Sequence, residues 1–170
     1  MAQYIIHNGP SPTTASQIPV TTGTTIKTML QAKGVAAVPF KVVEWGCSFK
    51  GFAAAEPVLV ELIETGTVFA TVTAHVAAGI VKYGPGAPAG IPVGTTFFEV
   101  GTAATGYTAS AEGTITASRV LDAQQVAPTN QYSRQYPLGR EPWVDAVSAL
   151  RIRVKAAAAV DMLCYFILEP

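Results

Sequence analysis

At 170 residues the chain is 49% apolar but only 13% charged, against the roughly 25% charged of an ordinary soluble domain. Its eleven cations and eleven anions cancel and are interspersed, so no face is built to draw in phosphates or anionic lipid, and nucleic acid and membrane surface are not expected as partners. No apolar run reaches the roughly 20 residues of a membrane-spanning helix, and a surface this poor in charge predicts burial against copies of the chain or against other protein.

The length suits one domain that buries about 70% of its unfolded surface without staples. Residues 1–25 are expected as an extended N-terminal arm and residues 26–170 as a single β-sandwich domain. Between Asn8 and Thr25 the chain is uncharged and rich in Thr and Ser, and Pro10, Pro12 and Pro19 deny both helix and ladder donors. Such a segment is either a loose terminus or an arm that orders on a neighbouring subunit. Met1 to Val20 holds no Lys or Arg and no apolar block of the roughly 7–15 residues of a secretory signal.

From Thr25 to Ala32 a Thr cap, apolar Ile26, Met29 and Leu30 at helical spacing, and Gly34 as a stop predict one short helix. Beyond it, β-branched and aromatic runs alternate with Gly and Pro, the pattern of an all-β fold, an antiparallel sandwich or jelly-roll-like. Strands are expected at about 40–49, 58–64, 68–75, 97–100, 113–126, 149–155 and 161–168. In Leu150-Arg151-Ile152-Arg153-Val154-Lys155 aliphatics alternate with cations, so one face is buried and the other shows charge. Met162 to Leu168 is apolar at both parities and requires cover on two sides. Residues 156–160 are short enough to join these two strands as a hairpin. The long loops are Tyr83 to Gly90 and Pro128 to Asp145. The second concentrates Tyr132, Tyr136 and Trp143 with Arg134 and Arg140, a mixture enriched at interface hot spots. Sealing one end of the sandwich is the plainer role for the same aromatics.

No group of residues carries catalysis. Gly101 to Gly106 has the glycine spacing of a phosphate loop, but Tyr107 stands where the Lys belongs, so a turn between strands is expected. His7 and His75 lie in different segments with no metal-ligand spacing around them, and no metal or cofactor is expected. His75 reads as a solvated or hydrogen-bonded strand position. Glu61 and Glu64 point to opposite faces of a strand and read as exposed acids that blunt it, not as a glycosidase pair. Trp45 sits mid-strand as core; Trp143, after Pro142, is a candidate for a subunit or a sugar contact. Cys47 and Cys164 each lie in an apolar run and read as reduced core thiols, in a chain with too few cysteines for a disulfide scaffold.

Several blocks carry a family resemblance: Val43-Glu44-Trp45-Gly46-Cys47-Ser48-Phe49-Lys50-Gly51; Gly101 to Gly106 with Tyr107-Thr108-Ala109-Ser110-Ala111-Glu112-Gly113-Thr114; Ala127-Pro128-Thr129-Asn130-Gln131-Tyr132; and Tyr136-Pro137-Leu138-Gly139-Arg140-Glu141. With Ile26-Lys27-Thr28-Met29-Leu30-Gln31, the chain resembles small virion structural proteins of tailed actinobacterial phages. The resemblance implies a capsid decoration subunit, commonly a homotrimer, made in the host cytoplasm and bound through the major capsid protein on the outside of the head. It implies no enzyme activity and transfers no active-site residue. A tail or tail-tube component and a glycan-binding adhesin using Trp143, Tyr132 and Tyr136 are the alternative readings. The residues expected at interfaces are Pro10, Pro12, Pro19, Tyr132, Arg134, Tyr136, Arg140 and Trp143.

Overall fold

The β-branched and aromatic runs pair into two antiparallel sheets in the computed structural model, which describes residues 2–10, 12, 14–36, 38–51, 56–83 and 97–170. In chain order the strands are β1 (Gln3–His7), β2 (Val20–Thr21), β3 (Lys27–Lys33), β4 (Phe40–Lys50), β5 (Val58–Glu64), β6 (Thr71–Ala74), β7 (Ile80–Tyr83), β8 (Gly106–Ala111), β9 (Arg119–Val126), β10 (Gln131–Gln135), β11 (Trp143–Val144), β12 (Ala149–Lys155) and β13 (Asp161–Glu169). A seven-stranded sheet runs β10-β4-β13-β1-β7, with β11 also on β4 and β2 also on β13. A six-stranded sheet runs β6-β8-β3-β12-β5-β9.

The chain passes from one sheet to the other at most connections. β3 and β4 lie beside β12 and β13, so one pair meets in each sheet; β4 and β5 lie in the same way beside β10 and β9. The inner faces meet in a single large core that holds Trp45, Met29, Leu30, Ile152 and Phe166, all fully buried. Phe98 packs edge-on against Tyr4 and Phe40 with ring centroids 5.6 and 5.4 Å apart, the tilted geometry that aromatic quadrupoles favour.

The helix expected around residues 26–32 is absent, because Lys27–Lys33 is β3, an inner strand between β8 and β12. Met29 and Leu30 both enter the core because the register with β12 slips there, Leu30 facing Ile152 and Thr28 facing Arg153, while Thr28 and Gln31 are buried on the outer side, so the strand lacks a period of two. Gln31 can point outward and stay buried because its carboxamide is fully used: Nε2 donates to Ala104 O at 2.7 Å and Oε1 accepts Ala70 N at 2.9 Å. The segment over 1–25 is likewise not one arm. Gln3–His7 is an inner strand, and buried Asn8 extends it by taking Cys164 N at 2.8 Å and donating from its side chain to Met162 O at 2.9 Å. Thr22 closes the other end of the following loop on Val160, its N–H donating at 2.9 Å. Removing residues 2–22 therefore deletes sheet structure.

β12 and β13 do not form a hairpin, since they belong to different sheets and residues 156–160 cross between them. The outward cation row of β12 is not all in water either. Arg151 is 0% exposed, with its guanidinium donating to Glu112 O at 3.0 Å and to Val68 O. Glu112 in turn accepts Thr28 N at 2.5 Å and the Thr28 hydroxyl at 2.6 Å. Residues near 68–70, 104 and 112 thus cover the outer face of the six-stranded sheet. Arg153 meets Glu61 at 2.8 Å at the next outward position.

Strands at 58–64 and 149–155 match expectation in both bounds, and 40–49 and 161–168 are each one residue longer. The segment expected over 113–126 is a strand only from Arg119, Val68 to His75 only over Thr71–Ala74, and 97–100 makes isolated bridges. The loop expected from Tyr83 to Gly90 lies, from residue 84 on, outside the described residues. Residues 101–104 form the turn expected there, with Ala104 N on Gly101 O at 3.2 Å. Gly106 is where two strands touch most tightly: a Cβ there would stand 2.4 Å from Thr73 O and 2.5 Å from Val72 Cγ2. Gly106→Ala should therefore part β8 from β6 and destabilise the fold by on the order of 2 kcal/mol, read as a lowered urea midpoint at unchanged m-value.

Candidate interaction surface

One flank of the sandwich is formed by the two edge strands β9 and β10 together with β11. β10 and β11 both pair with β4, and the chain between them leaves the sheet after Tyr136 N bonds Val43 O and rejoins it where Pro142 O accepts Val42 N. The excursion is a tight turn closed by Arg140 N on Pro137 O at 2.9 Å, with Gly139 at φ +81°, the value that the third position of a type II turn demands. Glu141 fastens it by accepting Gly139 N at 2.7 Å. This hardware holds Leu138 at the tip with 96% of its surface in solvent. Trp143 is 52% exposed beside it in the chain, with Lys41 Nζ 5.0 Å from its ring centroid, and Val120 and Val147 are exposed on neighbouring stretches.

The other aromatics of the loop are held from beneath. Tyr132 stacks on Trp45 at 5.3 Å and donates its hydroxyl to Asp122 Oδ2 at 2.8 Å, joining β10 to β9 across the open side of the sandwich. Gln124 Nε2 and Ala123 N donate to Asp122 Oδ1 at 2.9 Å each, and Arg134 pairs with Oδ2 at 3.3 Å. Burial pushes the Asp122 pKa up, but the hydrogen bonds from Gln124 and Tyr132 and the Arg134 charge outweigh it and hold the carboxyl below its ordinary range. Burial and the same carboxylate push Tyr132 up to about 12. Arg134 also lies over Tyr136 at 5.0 Å, and the buried indole N–H of Trp45 comes near the Tyr136 hydroxyl without an aligned hydrogen bond.

Sequence reasoning thus named Tyr132, Arg134, Tyr136, Arg140 and Trp143, and the fold gathers all five along this flank. It missed Asp122, the anchor beneath them, and Leu138, the most exposed apolar side chain there. Pro10 and Pro12 are exposed and Pro19 half-buried on a different element, the loop pinned at both ends to β13. Glu61 and Glu64 are not bare acids: Glu64 is buried, takes Arg119 Nε at 2.8 Å and Asp145 N at 3.2 Å, while Arg119 also reaches Trp143 O. Near the opposite flank, His75 is buried with Nε2 2.9 Å from His7 O and its ring 4.9 Å from Tyr107. Among the described residues no three His, Cys, Asp or Glu gather as metal ligands, and the described lining of an open groove at the end of β10 (Ser48, Phe49, Thr129, Asn130, Gln131) has no titratable side chain.

The two faces of the sandwich differ. The outward side chains of β13 and its neighbours include Leu163, Tyr165, Ile5 and Val81, all partly exposed or exposed, with Ile167 between Ile5 and Glu44. Glu44 accepts the Tyr165 hydroxyl, and Lys41 and Glu169 pair at 3.4 Å, so the charges here are spent on neighbours. Comparison with family models, with curated proteins and with solved structures finds no match for this chain.

Tyr132→Phe should destabilise the fold by about 1–2 kcal/mol, because it strips a donor from a buried carboxylate; thermal unfolding measures it. Burial holds the His7 and His75 pKa values below 6.5. The unfolded chain then binds protons that the fold refuses, so stability is full above that value and falls as pH drops below it. Urea midpoints at pH 7.5 and 5.5 should show the loss, and His7→Gln, which keeps the backbone carbonyl used by His75, should reduce it.

Proposed function

We propose that this chain is a structural subunit of a phage particle, a capsid decoration protein that binds the outer head lattice and stabilises it. Its partners in this reading are the major capsid protein and its own copies, as a homotrimer. The observation that carries the assembly role is the apolar outer face of the seven-stranded sheet. Leu163, Tyr165 and Ile167 make β13 apolar on its outer side as well; Ile167 is buried among its neighbours, while Leu163, Tyr165 and Ile5 stay partly exposed and Val81 is exposed. Supporting surface is present on the β9/β11 flank, where Leu138, Trp143 and Arg140 have the composition of interface anchors.

The strand order supports the virion setting. β1-β13-β4-β10 in one sheet and β3-β12-β5-β9 in the other, visited in the chain order β1, β3, β4, β5, β9, β10, β12, β13, support a jelly-roll reading, in which β6, β7 and β8 are an insertion that widens both sheets. Jelly rolls serve viral shells and also lectins, so the fold supports the setting without choosing the partner. Lattice binding needs only modest contacts, because many copies engage at once. The role is mechanical: each bound copy raises the free energy needed to separate the capsomers it bridges.

Quantitative mass spectrometry of purified particles should find this chain in hundreds of copies, in fixed ratio to the major capsid protein. A few copies, or a location confined to the tail, would overturn the decoration reading. The double variant Leu138→Asp with Trp143→Ala should keep its melting temperature within a few degrees and lose at least tenfold in affinity for heads that lack the protein, measured by co-sedimentation.

A further inference from the structure

Cys47 and Cys164 are separated by most of the chain, yet the fold places them directly opposite each other on β4 and β13. Their relation can be fixed further from the backbone. Cys164 spends its N–H and its carbonyl on Asn8, at 2.8 and 3.0 Å, so both point away from β4. On the other strand, Phe49 N reaches Asn130 O and Val43 O takes Tyr136 N, so odd-numbered residues of β4 direct their polar groups toward β10 and away from β13. The two cysteines therefore form a non-hydrogen-bonded pair, the closer of the two antiparallel alternatives, with Cα atoms about 4.5 Å apart in regular sheet. That separation lies inside the range of roughly 4.4–6.8 Å that a disulfide spans. Both side chains face the core and both are free thiols.

We propose that Cys47 and Cys164 are a covalent modification site: a dithiol that a small peroxide closes into one intramolecular disulfide, stapling β4 to β13. The thiolate of Cys47, the slightly less enclosed of the two, attacks one peroxide oxygen; the O–O bond breaks, and sulfenic acid and water form once protons are taken up. The Cys164 sulfur then displaces the sulfenic oxygen as a second water, and the S–S bond forms. Two thiols lose two electrons and two protons in all, and one peroxide is reduced to two waters. A peroxide is the fitting oxidant because both thiols are buried, and a small oxidant needs less opening of a close-packed core than a bulky disulfide reagent. Burial raises both thiol pKa values, that of Cys47 to about 12, so the reaction is slow and proceeds through transient opening of the sheet. This inference does not rest on the virion reading.

The full-length protein is treated with hydrogen peroxide in native buffer, with and without urea below its unfolding midpoint, then alkylated under denaturing conditions and digested without reduction. We expect one cross-linked peptide pair containing Cys47 and Cys164, an intact mass lower by about two hydrogens, faster formation in urea, and a melting temperature several degrees higher that a reductant reverses. Cys164→Ala should stop at a sulfenic acid on Cys47, trapped by a carbon nucleophile. Two alkylated cysteines after treatment in both buffers, cross-links between chains, or sulfinic acid as the main wild-type product would each overturn the proposal.

Discussion

The pairing of β13 with β4 is the constraint on which the rest of the molecule hangs. It runs from Asp161 against Lys50 to Glu169 against Lys41, interrupted by one irregularity beside Ile167. Because β12 and β3, the strands joined to these two, pair in the opposite sheet, the same ribbon sets the separation of the layers and fills the space between them with Trp45, Phe166, Ile152 and Leu30. β1 and the β2 stretch add to the free side of β13, and β10 and β11 add to the free side of β4. A surface flank that carries Trp143 and Arg134 is thus positioned by a ribbon it does not itself belong to.

Buried polar groups set the second level of order, and three of them are held by backbone from distant segments. Asn8 finishes β1 against β13, Gln31 ties β3 to Ala70 and Ala104, and Arg151 ties β12 to the stretches around Val68 and Glu112. Enclosing such a side chain is costly unless most of its hydrogen bonds are made, so each one favours a single placement of the covering segment. Asp122 does the same between the sheets, where its carboxylate is shared among Tyr132, Gln124, Arg134 and the backbone. β9 is itself an edge strand, where an inward-held charge such as Asp122 discourages pairing with a foreign strand.

The all-β character and the strands β5 and β12 could be read from the chain because alternation and β-branched runs are local signals. β3 could not, since Ile26, Met29 and Leu30 fall at helical spacing, and a strand with a register slip at Met29 and cover over Thr28 and Gln31 shows no alternation to compete with it. The hidden cation Arg151 was read as solvated for a related reason: its cover comes from residues tens of positions away, and nothing near it in the chain announces them. At the flank, the aromatic and arginine content of residues 132–143 was visible as composition. The role of Asp122 was not, because an acid between Leu121 and Ala123 becomes informative only once β9 and β10 face each other. Leu138 carries no signal of its own in the sequence, and only the Pro137–Arg140 turn reveals that it is held outward.

The unequal dressing of the two sheets gives the subunit a direction. One layer is roofed by the chain's own segments, with Gln31 and Arg151 locked beneath them, while the other turns Leu163, Tyr165 and Ile5 outward. In the proposed role such a body behaves like a tile with one glazed side and one side whose described apolar residues stay partly open. Laid with the open side against a shell, it would turn the roofed side outward, and a coat made from it would stop at a single thickness.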